Sequence, residues 1–95
     1  MITHMHVGFR VKDYDQWKTG YDASIDRRRA AGETSYQVFR DTKDPNRITV
    51  VSMQEDAERV QAFLDSPGLK EAMEQAGVIE MGQMLLLEEV DRGVL

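Results

Sequence analysis

The C-terminal part of the chain reads as a strand that carries apolar side chains on both of its faces. Residues 78–90 are rich in Met, Leu and Val, and side chains along a strand alternate between the two faces of a sheet. The alternation divides these residues into Met81, Leu85 and Leu87 on one face, and Met84, Leu86 and Val90 on the other. Both faces of the predicted sheet therefore need an apolar layer against them.

Chain length and composition limit what can supply these layers. Ninety-five residues, 41% of them hydrophobic, are enough for one compact domain, so residues 1–95 are predicted to form a single domain. The formal net charge of -5 argues against nucleic acid as a partner, because phosphate recognition needs clustered Lys and Arg. Cysteine is absent, and the sequence shows neither a secretory signal nor a membrane-spanning run. We therefore expect a cytoplasmic protein that does not contact membranes.

The periodicity of apolar residues predicts the elements of the fold. Strands are expected at residues 3–11, 35–40, 47–53 and 78–90, and helical segments at 14–31, 57–64 and 67–76. The order β, α, β, β, α, β is the split βαβ pattern of ferredoxin-like folds. The sequence therefore predicts an α+β fold with a four-stranded antiparallel sheet.

Capping residues set the predicted ends of the helices. Asp13 is expected to cap the first helix, with Gln16 completing a capping box, and Gly32 is expected to end it. Asp56 is expected to cap the next helix, and Ser66 the one after it.

The handedness of the connections predicts the assembly. Right-handed crossovers place both helical layers on the same face of the sheet, so the other apolar face has no cover within one subunit. An apolar surface of this size would promote aggregation unless a partner covered it. We therefore predict a homodimer in which two sheets face each other.

Three parts of the chain suggest a family. They are residues 11–17, the hairpin at 35–41 with its Asp44-Pro45-Asn46 turn, and residues 63–73. These segments resemble the dimeric α/β-barrel superfamily, and within it antibiotic-biosynthesis-monooxygenase-like domains. The resemblance spans nearly the whole chain. The resemblance implies a dimeric barrel. It also implies one of several activities, among them cofactor-independent quinone-forming monooxygenases, haem-degrading enzymes and polyketide cyclases, because one fold hosts many functions.

Departures from these relatives narrow the choice of activity. The haem-degrading relatives combine a helix-borne histidine with an asparagine and a tryptophan, whereas His4 and His6 lie on a predicted strand and Asn46 lies in a turn. These differences argue against haem. Trp17 belongs to an aromatic stripe at helical spacing, with Tyr14 and Tyr21, and such a stripe is typical of core packing.

A polar group on the first strand is the predicted site. His4, His6 and Arg10 point to the same face of the strand, and Tyr36 and Arg40 are expected to approach them from the neighbouring hairpin. Histidine can move a proton near neutral pH. We therefore predict His6, His4 and Tyr36 as catalytic residues, and Arg10 and Arg40 as substrate-binding residues, in the space between the two sheets.

The expected function follows from this site and from the resemblance. A His-x-His pair needs further ligands to hold a metal, and the sequence offers no third ligand, so we predict neither a metal nor a cofactor. The predicted protein is a homodimer that binds a small molecule, as a cofactor-independent monooxygenase of a hydrophobic aromatic metabolite. The alternatives are a non-catalytic ligand-binding or stress-associated module, or a polyketide-cyclase-like enzyme, of the same fold.

Overall fold

The computed structural model of the protein describes residues 3–95. Within that range the elements are β1 Thr3–Val11, α1 Tyr14–Ala23, α2 Ile25–Ala30, β2 Glu33–Arg40, β3 Arg47–Gln54, α3 Ala57–Leu64, α4 Leu69–Gln75 and β4 Val78–Leu87. The strands form one antiparallel sheet in the order β2-β3-β1-β4. The α+β, ferredoxin-like order predicted from the sequence is confirmed.

The hydrophobic core lies on the face of the sheet that the helices cover. Val7 of β1 pairs with Val50 of β3 and with Met84 of β4, so one row of side chains crosses three strands on this face. Trp17 of α1 packs on this layer, with its ring centroid 5.3 Å from that of Phe9. Burial of these apolar side chains, about 25 cal/mol per Å² of apolar surface, holds the helices on the sheet.

The opposite face of the sheet, which we call the open face, is formed by the alternate residues. It carries His4, His6 and Arg10 of β1, Phe39 of β2, Val51 and Met53 of β3, and Leu85 and Leu87 of β4. Of these, Phe39, Leu85 and Leu87 are 49%, 37% and 42% exposed. The face is therefore apolar in part and uncovered in a single subunit.

The first helical segment differs from the single helix predicted for residues 14–31, because it divides at Ser24 into α1 and α2. The Ser24 hydroxyl donates to the Tyr21 carbonyl oxygen at 2.7 Å. Side chains that bond to nearby backbone in this way compete with helical hydrogen bonds. Gly32, with φ at 107°, follows α2, as expected of a residue that ends a helix.

The predicted capping box at the start of α1 is wrong. Among residues 3–95, the Asp13 side chain accepts no capping hydrogen bond. The cap comes instead from the β2–β3 turn, where the Asn46 Oδ1 atom accepts a hydrogen bond from the Tyr14 backbone N–H at 3.0 Å. This bond ties the hairpin turn to the first helix.

The later helices confirm one predicted cap and correct the other. Asp56 accepts a hydrogen bond from the Glu58 N–H at 2.9 Å and caps α3 as expected. The N-cap of α4 is Gly68 rather than Ser66, with φ at 88°. The Ser66 hydroxyl donates to the Phe63 carbonyl at 2.6 Å, so it serves the end of α3 instead.

The last strand departs from the regular alternation assumed for residues 78–90. A register shift lies between the pairs Val7–Met84 and Phe9–Met81, so β4 has one extra residue there. A second shift lies between the pairs Arg10–Glu80 and Val11–Val78. Met81 and Met84 therefore share the helix-covered face, and the predicted assignment of Met81 to the face of Leu85 is wrong. The strand ends at Leu87, and Val90 is exposed beyond it.

Candidate functional site

A cavity of about 300 Å³ lies between the helices and the covered face of the sheet. Its apolar wall is formed by Val7, Phe9 and Val50 from the sheet and by Trp17, Val60 and Met73 from the helices. Concave apolar spaces of this size, with a few polar groups, are typical of small-molecule sites. The wall exists because α1, α3 and α4 contribute their apolar sides without closing completely over the strands.

One end of the cavity is polar. This polar end consists of Tyr21, Ser24, Arg28, Glu33 and Gln54. The Arg28 guanidinium organises it: Nε donates to the Ser24 hydroxyl oxygen at 3.0 Å, Nη2 donates to the Tyr21 carbonyl at 3.0 Å, and Nη1 pairs with the Glu33 carboxylate. The guanidinium carbon also lies 3.8 Å from the centroid of the Tyr21 ring. Arg28 therefore fixes both the tyrosine and the carboxylate.

Burial determines the charge states at this end. Desolvation raises the pKa of the Glu33 carboxyl, and this effect outweighs the opposite effect of the neighbouring Arg28. Burial is also the main cause that raises the pKa of the Tyr21 hydroxyl, and the Glu33 charge adds to it. Tyr21 therefore keeps its proton at neutral pH.

The buried amide of Gln54 and the buried hydroxyl of Ser52 form a hydrogen bond with each other. The Gln54 Nε2 atom donates to the Ser52 hydroxyl at 2.9 Å, and both residues are buried. Tyr21 differs from them, because within the described residues its buried hydroxyl has no hydrogen-bond partner. Buried polar groups are nearly always paired, so this hydroxyl, which protein atoms enclose, is an exception.

The predicted histidines lie away from this cavity, on the open face. His6 stands opposite Val51 and Leu85, and His4 opposite Met53 and Leu87. In residues 3–95, no group of three metal-binding side chains is close enough together to hold a metal ion.

Arg10, the third predicted residue on this face, makes an ion pair with Asp44 in the β2–β3 turn. The Nη2 and Oδ2 atoms are 2.9 Å apart. Arg10 therefore shares a face with the histidines, as expected, but its charge is directed towards the turn.

Tyr36 and Arg40 lie on the helix-covered face instead. The Tyr36 ring meets the Tyr21 ring edge-on at 5.5 Å, and the Arg40 guanidinium lies 4.1 Å from the Tyr14 ring centroid. The sheet separates these two residues from His4, His6 and Arg10, so one subunit does not assemble the predicted five-residue group. The reason is the register, since Tyr36 pairs with the buried Ser52.

Sequence reasoning missed the polar end of the cavity. The sequence predicts core packing for Tyr21, and the stacking of its ring on Trp17 at 4.9 Å confirms this packing. The sequence feature that indicates this polar end is Arg28, a charged residue that falls on the apolar stripe of the first helical segment. Such a residue needs a buried partner, and Glu33 provides it.

Comparison with solved structures shows the same fold in other proteins. A Bordetella bronchiseptica protein that carries the antibiotic biosynthesis monooxygenase name has 17% sequence identity and a TM-score of 0.74, with 94% of this chain and 97% of that chain covered. A conserved protein from Methanosarcina mazei Go1 has 13% identity and a TM-score of 0.70, with 94% and 93% covered.

A third similar structure carries a described activity. SnoaB, a cofactor-independent oxygenase from Streptomyces nogalater, has 11% identity and a TM-score of 0.70, with 96% of this chain and 94% of SnoaB covered. At these identities the likeness concerns the fold alone.

Three further findings concern the class of protein. Within residues 3–95, the helices are all too short or too polar to cross a membrane. A comparison with curated proteins finds no match. The sequence profile of the antibiotic biosynthesis monooxygenase family matches residues 15–75, which is more than half of the chain. The chain therefore belongs to the antibiotic biosynthesis monooxygenase family.

Proposed function

We propose that the protein is a cofactor-independent monooxygenase that binds a hydrophobic aromatic metabolite in the cavity between the sheet and the helices. The observation that carries this proposal is the cavity itself, about 300 Å³ with an apolar wall and one polar end. An apolar wall favours a hydrophobic ring system, and the polar end gives it one orientation. Family membership supports the oxygenase chemistry.

The proposed reaction oxidises a phenol to a quinone. A ring C–H para to the hydroxyl becomes a carbonyl, one atom of O₂ enters the ring, and the other leaves as water. The substrate supplies all four electrons that reduce O₂ and the two hydrogens of the water, so no external reductant is needed. In this reaction the apolar wall, including Phe9 and Trp17, holds the ring and excludes water.

We further propose that the protein is a homodimer, joined through the open faces of two subunits. Support comes from the exposed apolar side chains of Phe39, Leu85 and Leu87, since large apolar patches mark interaction surfaces. His4 and His6 would then lie between the two sheets. The catalytic roles assigned to them and to Tyr36 from the sequence stay predictions, distinct from the role of the cavity.

Oxygen uptake with a polycyclic phenol tests the monooxygenase proposal. Ala72 of α4 lines the cavity, so Ala72→Phe should fill it and abolish uptake. Glu71→Phe places the same ring on the neighbouring position of α4, which does not line the cavity, and should leave the rate unchanged. His6→Ala should also retain activity if the reaction takes place in the cavity.

The same assay separates the alternatives. Binding of the phenol without oxygen uptake would support a non-catalytic ligand-binding module and contradict the enzyme proposal. Uptake that is lost in His6→Ala and kept in Ala72→Phe would place the reaction between the sheets and overturn the cavity as the active site.

A further inference from the structure

The Glu33 carboxylate keeps one unpaired oxygen at the polar end of the cavity. Glu33 lines the cavity, and its Oε2 atom pairs with Arg28. Its Oε1 atom accepts no hydrogen bond within residues 3–95. The enclosed side-chain atoms that lack a partner in this range are the Arg10 Nε atom and the Tyr21 hydroxyl, so Oε1 is not enclosed. An accessible carboxylate oxygen of this kind is suited to a hydrogen-bond donor on a ligand.

The donors at the polar end are already engaged. The three nitrogens of the Arg28 guanidinium donate to the Ser24 hydroxyl, the Glu33 carboxylate and a backbone carbonyl. The Ser24 hydroxyl donates to the same carbonyl. Gln54, the direct cross-strand partner of Glu33, donates through its Nε2 atom to a buried hydroxyl. The free groups that meet a ligand at this end are therefore acceptors, and the ligand supplies the donor.

We propose that the Glu33 Oε1 atom accepts a hydrogen bond from the hydroxyl of a phenolic ligand and acts as the general base of its oxidation. The ligand O–H bond breaks, the proton moves to Oε1, and the electron pair stays on the ligand oxygen. The phenolate gives electrons to O₂ more readily than the phenol, and Glu33 returns the proton to the oxygen atom that leaves as water. The inference rests on the proposed function, because it assigns a base to the oxidation of a phenol in this cavity.

The surroundings of Glu33 suit it to this role. Burial raises the pKa of its carboxyl despite the neighbouring Arg28, and enzymes raise the pKa of a carboxyl base towards the working pH in this way. Proton transfer moves the negative charge from Glu33 to the adjacent ligand oxygen. Arg28 therefore has an anion beside it both before and after the transfer.

Calorimetric titration without oxygen, with two probes of nearly equal shape, tests the hydrogen bond. 1-Naphthol carries a hydroxyl where 1-methylnaphthalene carries a methyl group. Glu33→Gln should weaken binding of 1-naphthol by about 10-fold or more, the usual worth of a hydrogen bond to a charged group, and leave 1-methylnaphthalene unchanged. Glu55→Gln removes the same charge from an exposed residue that does not line the cavity and should change neither.

Oxygen uptake with 1-naphthol tests the base. Glu33→Gln should lower kcat by about 100-fold, the usual contribution of a general base. Glu55→Gln should keep the wild-type kcat, because the charge that it removes lies outside the cavity.

The pH dependence of the rate separates a base from a structural role. Beside Glu33 lie Tyr21 of α1, Arg28 of α2 and the uncharged Gln54 of β3. Arg28 stays charged, and burial raises the pKa of the Tyr21 hydroxyl, so Glu33 is the group among them that titrates between acidic and neutral pH. The wild-type rate should rise with pH through the Glu33 pKa and then level off. In Glu33→Gln the rate should rise only in the alkaline range, where the phenol ionises without a base.

Other outcomes separate the base from the cavity. If Glu33→Gln leaves the binding of both probes unchanged, or weakens both equally, the inference is overturned while the cavity stands. An unchanged kcat or pH profile in Glu33→Gln would overturn the base as well. If 1-naphthol binds through Glu33 but the wild-type protein takes up no oxygen, the oxygenase proposal and the base are overturned, and the acceptor site for phenols stands.

Discussion

Arg28 at the centre of α2 and Glu33 at the start of β2 form an ion pair that is largely buried, with side chains only 16% and 9% exposed. The pair connects a helix and a strand that are separated in sequence by the turn at Gly32. It also forms the back of the polar end of the cavity. Stability therefore depends on two side chains that also line the proposed ligand cavity.

Replacement of Arg28 by an uncharged residue should lower the stability of the fold substantially. Arg28→Met leaves the Glu33 carboxylate buried without its partner, and we expect a loss of about 3 kcal/mol in the free energy of unfolding, measured in urea. Arg29→Met is the matched control, because Arg29 makes an exposed pair with Asp26; it should change stability by less than about 0.5 kcal/mol. Equal losses in the two variants would contradict a buried role for Arg28.

The Glu33 carboxyl should make stability depend on pH. Its pKa is raised in the folded protein above the ordinary value of 4.5, so the folded state favours the protonated carboxyl. The resulting contribution to stability is fully present below that value and is lost as the pH rises through the folded-state pKa. Glu33→Gln should abolish this dependence. Urea unfolding of both proteins across the acidic to neutral range should show that the free energy of unfolding of the wild type falls relative to that of the variant as the pH rises. A constant difference would contradict the raised pKa.

Two glycines should respond in opposite directions to the same substitution. A Cβ atom on Gly82 of β4 would lie 2.6 Å from the Gly8 carbonyl oxygen, so Gly82→Ala should cost about 2 kcal/mol as backbone is forced apart. Among the described atoms none lies within 4 Å of a Cβ on Gly20, so Gly20→Ala in α1 should stabilise by roughly 0.5 to 1 kcal/mol. Thermal unfolding measures both changes. Tolerance of Gly82→Ala would contradict the close approach of β1 and β4.

Leu85 and Leu86 are neighbours in sequence on opposite faces of the sheet. Leu85 pairs with His6 on the open face, whereas Leu86 pairs with Met5 on the covered face. In sedimentation at low micromolar concentration, Leu85→Asp should yield a folded monomer. Leu86→Asp brings a charge towards the core and should lose about 3 kcal/mol of stability. A wild-type protein that sediments as a stable monomer would contradict the homodimer.

Strands β1 and β3 were predictable because alternate residues of each are buried. Alternation in β1 fixed its bounds and its covered face, with Val7, Phe9 and Val11 in the core. The register of β4 was not predictable in the same way, because the extra residue near Gly82 depends on the close approach of Gly8. A local pattern cannot reveal a contact between Gly8 and Gly82, which are 74 positions apart in the sequence.

The candidate site was less accessible to sequence reasoning than the fold. Trp17 was correctly assigned to packing, and it is buried in the core. The polar end was missed because it forms only when α1, α2 and β2 meet, and because Ser24 and Arg28 resemble ordinary helix residues until the break between the helices directs them inward. A His-x-His pair is conspicuous in a sequence, but its face of the sheet is decided by the whole strand order.

The most direct test of the ligand site is to locate a bound probe by two-dimensional NMR. Titration of the wild-type protein with 1-naphthol without oxygen should shift the backbone amide signals of residues that line the cavity, above all Tyr21, Ser24 and Gln54. Shifts confined to His4 and His6 on the open face would contradict the account and place the ligand between the sheets.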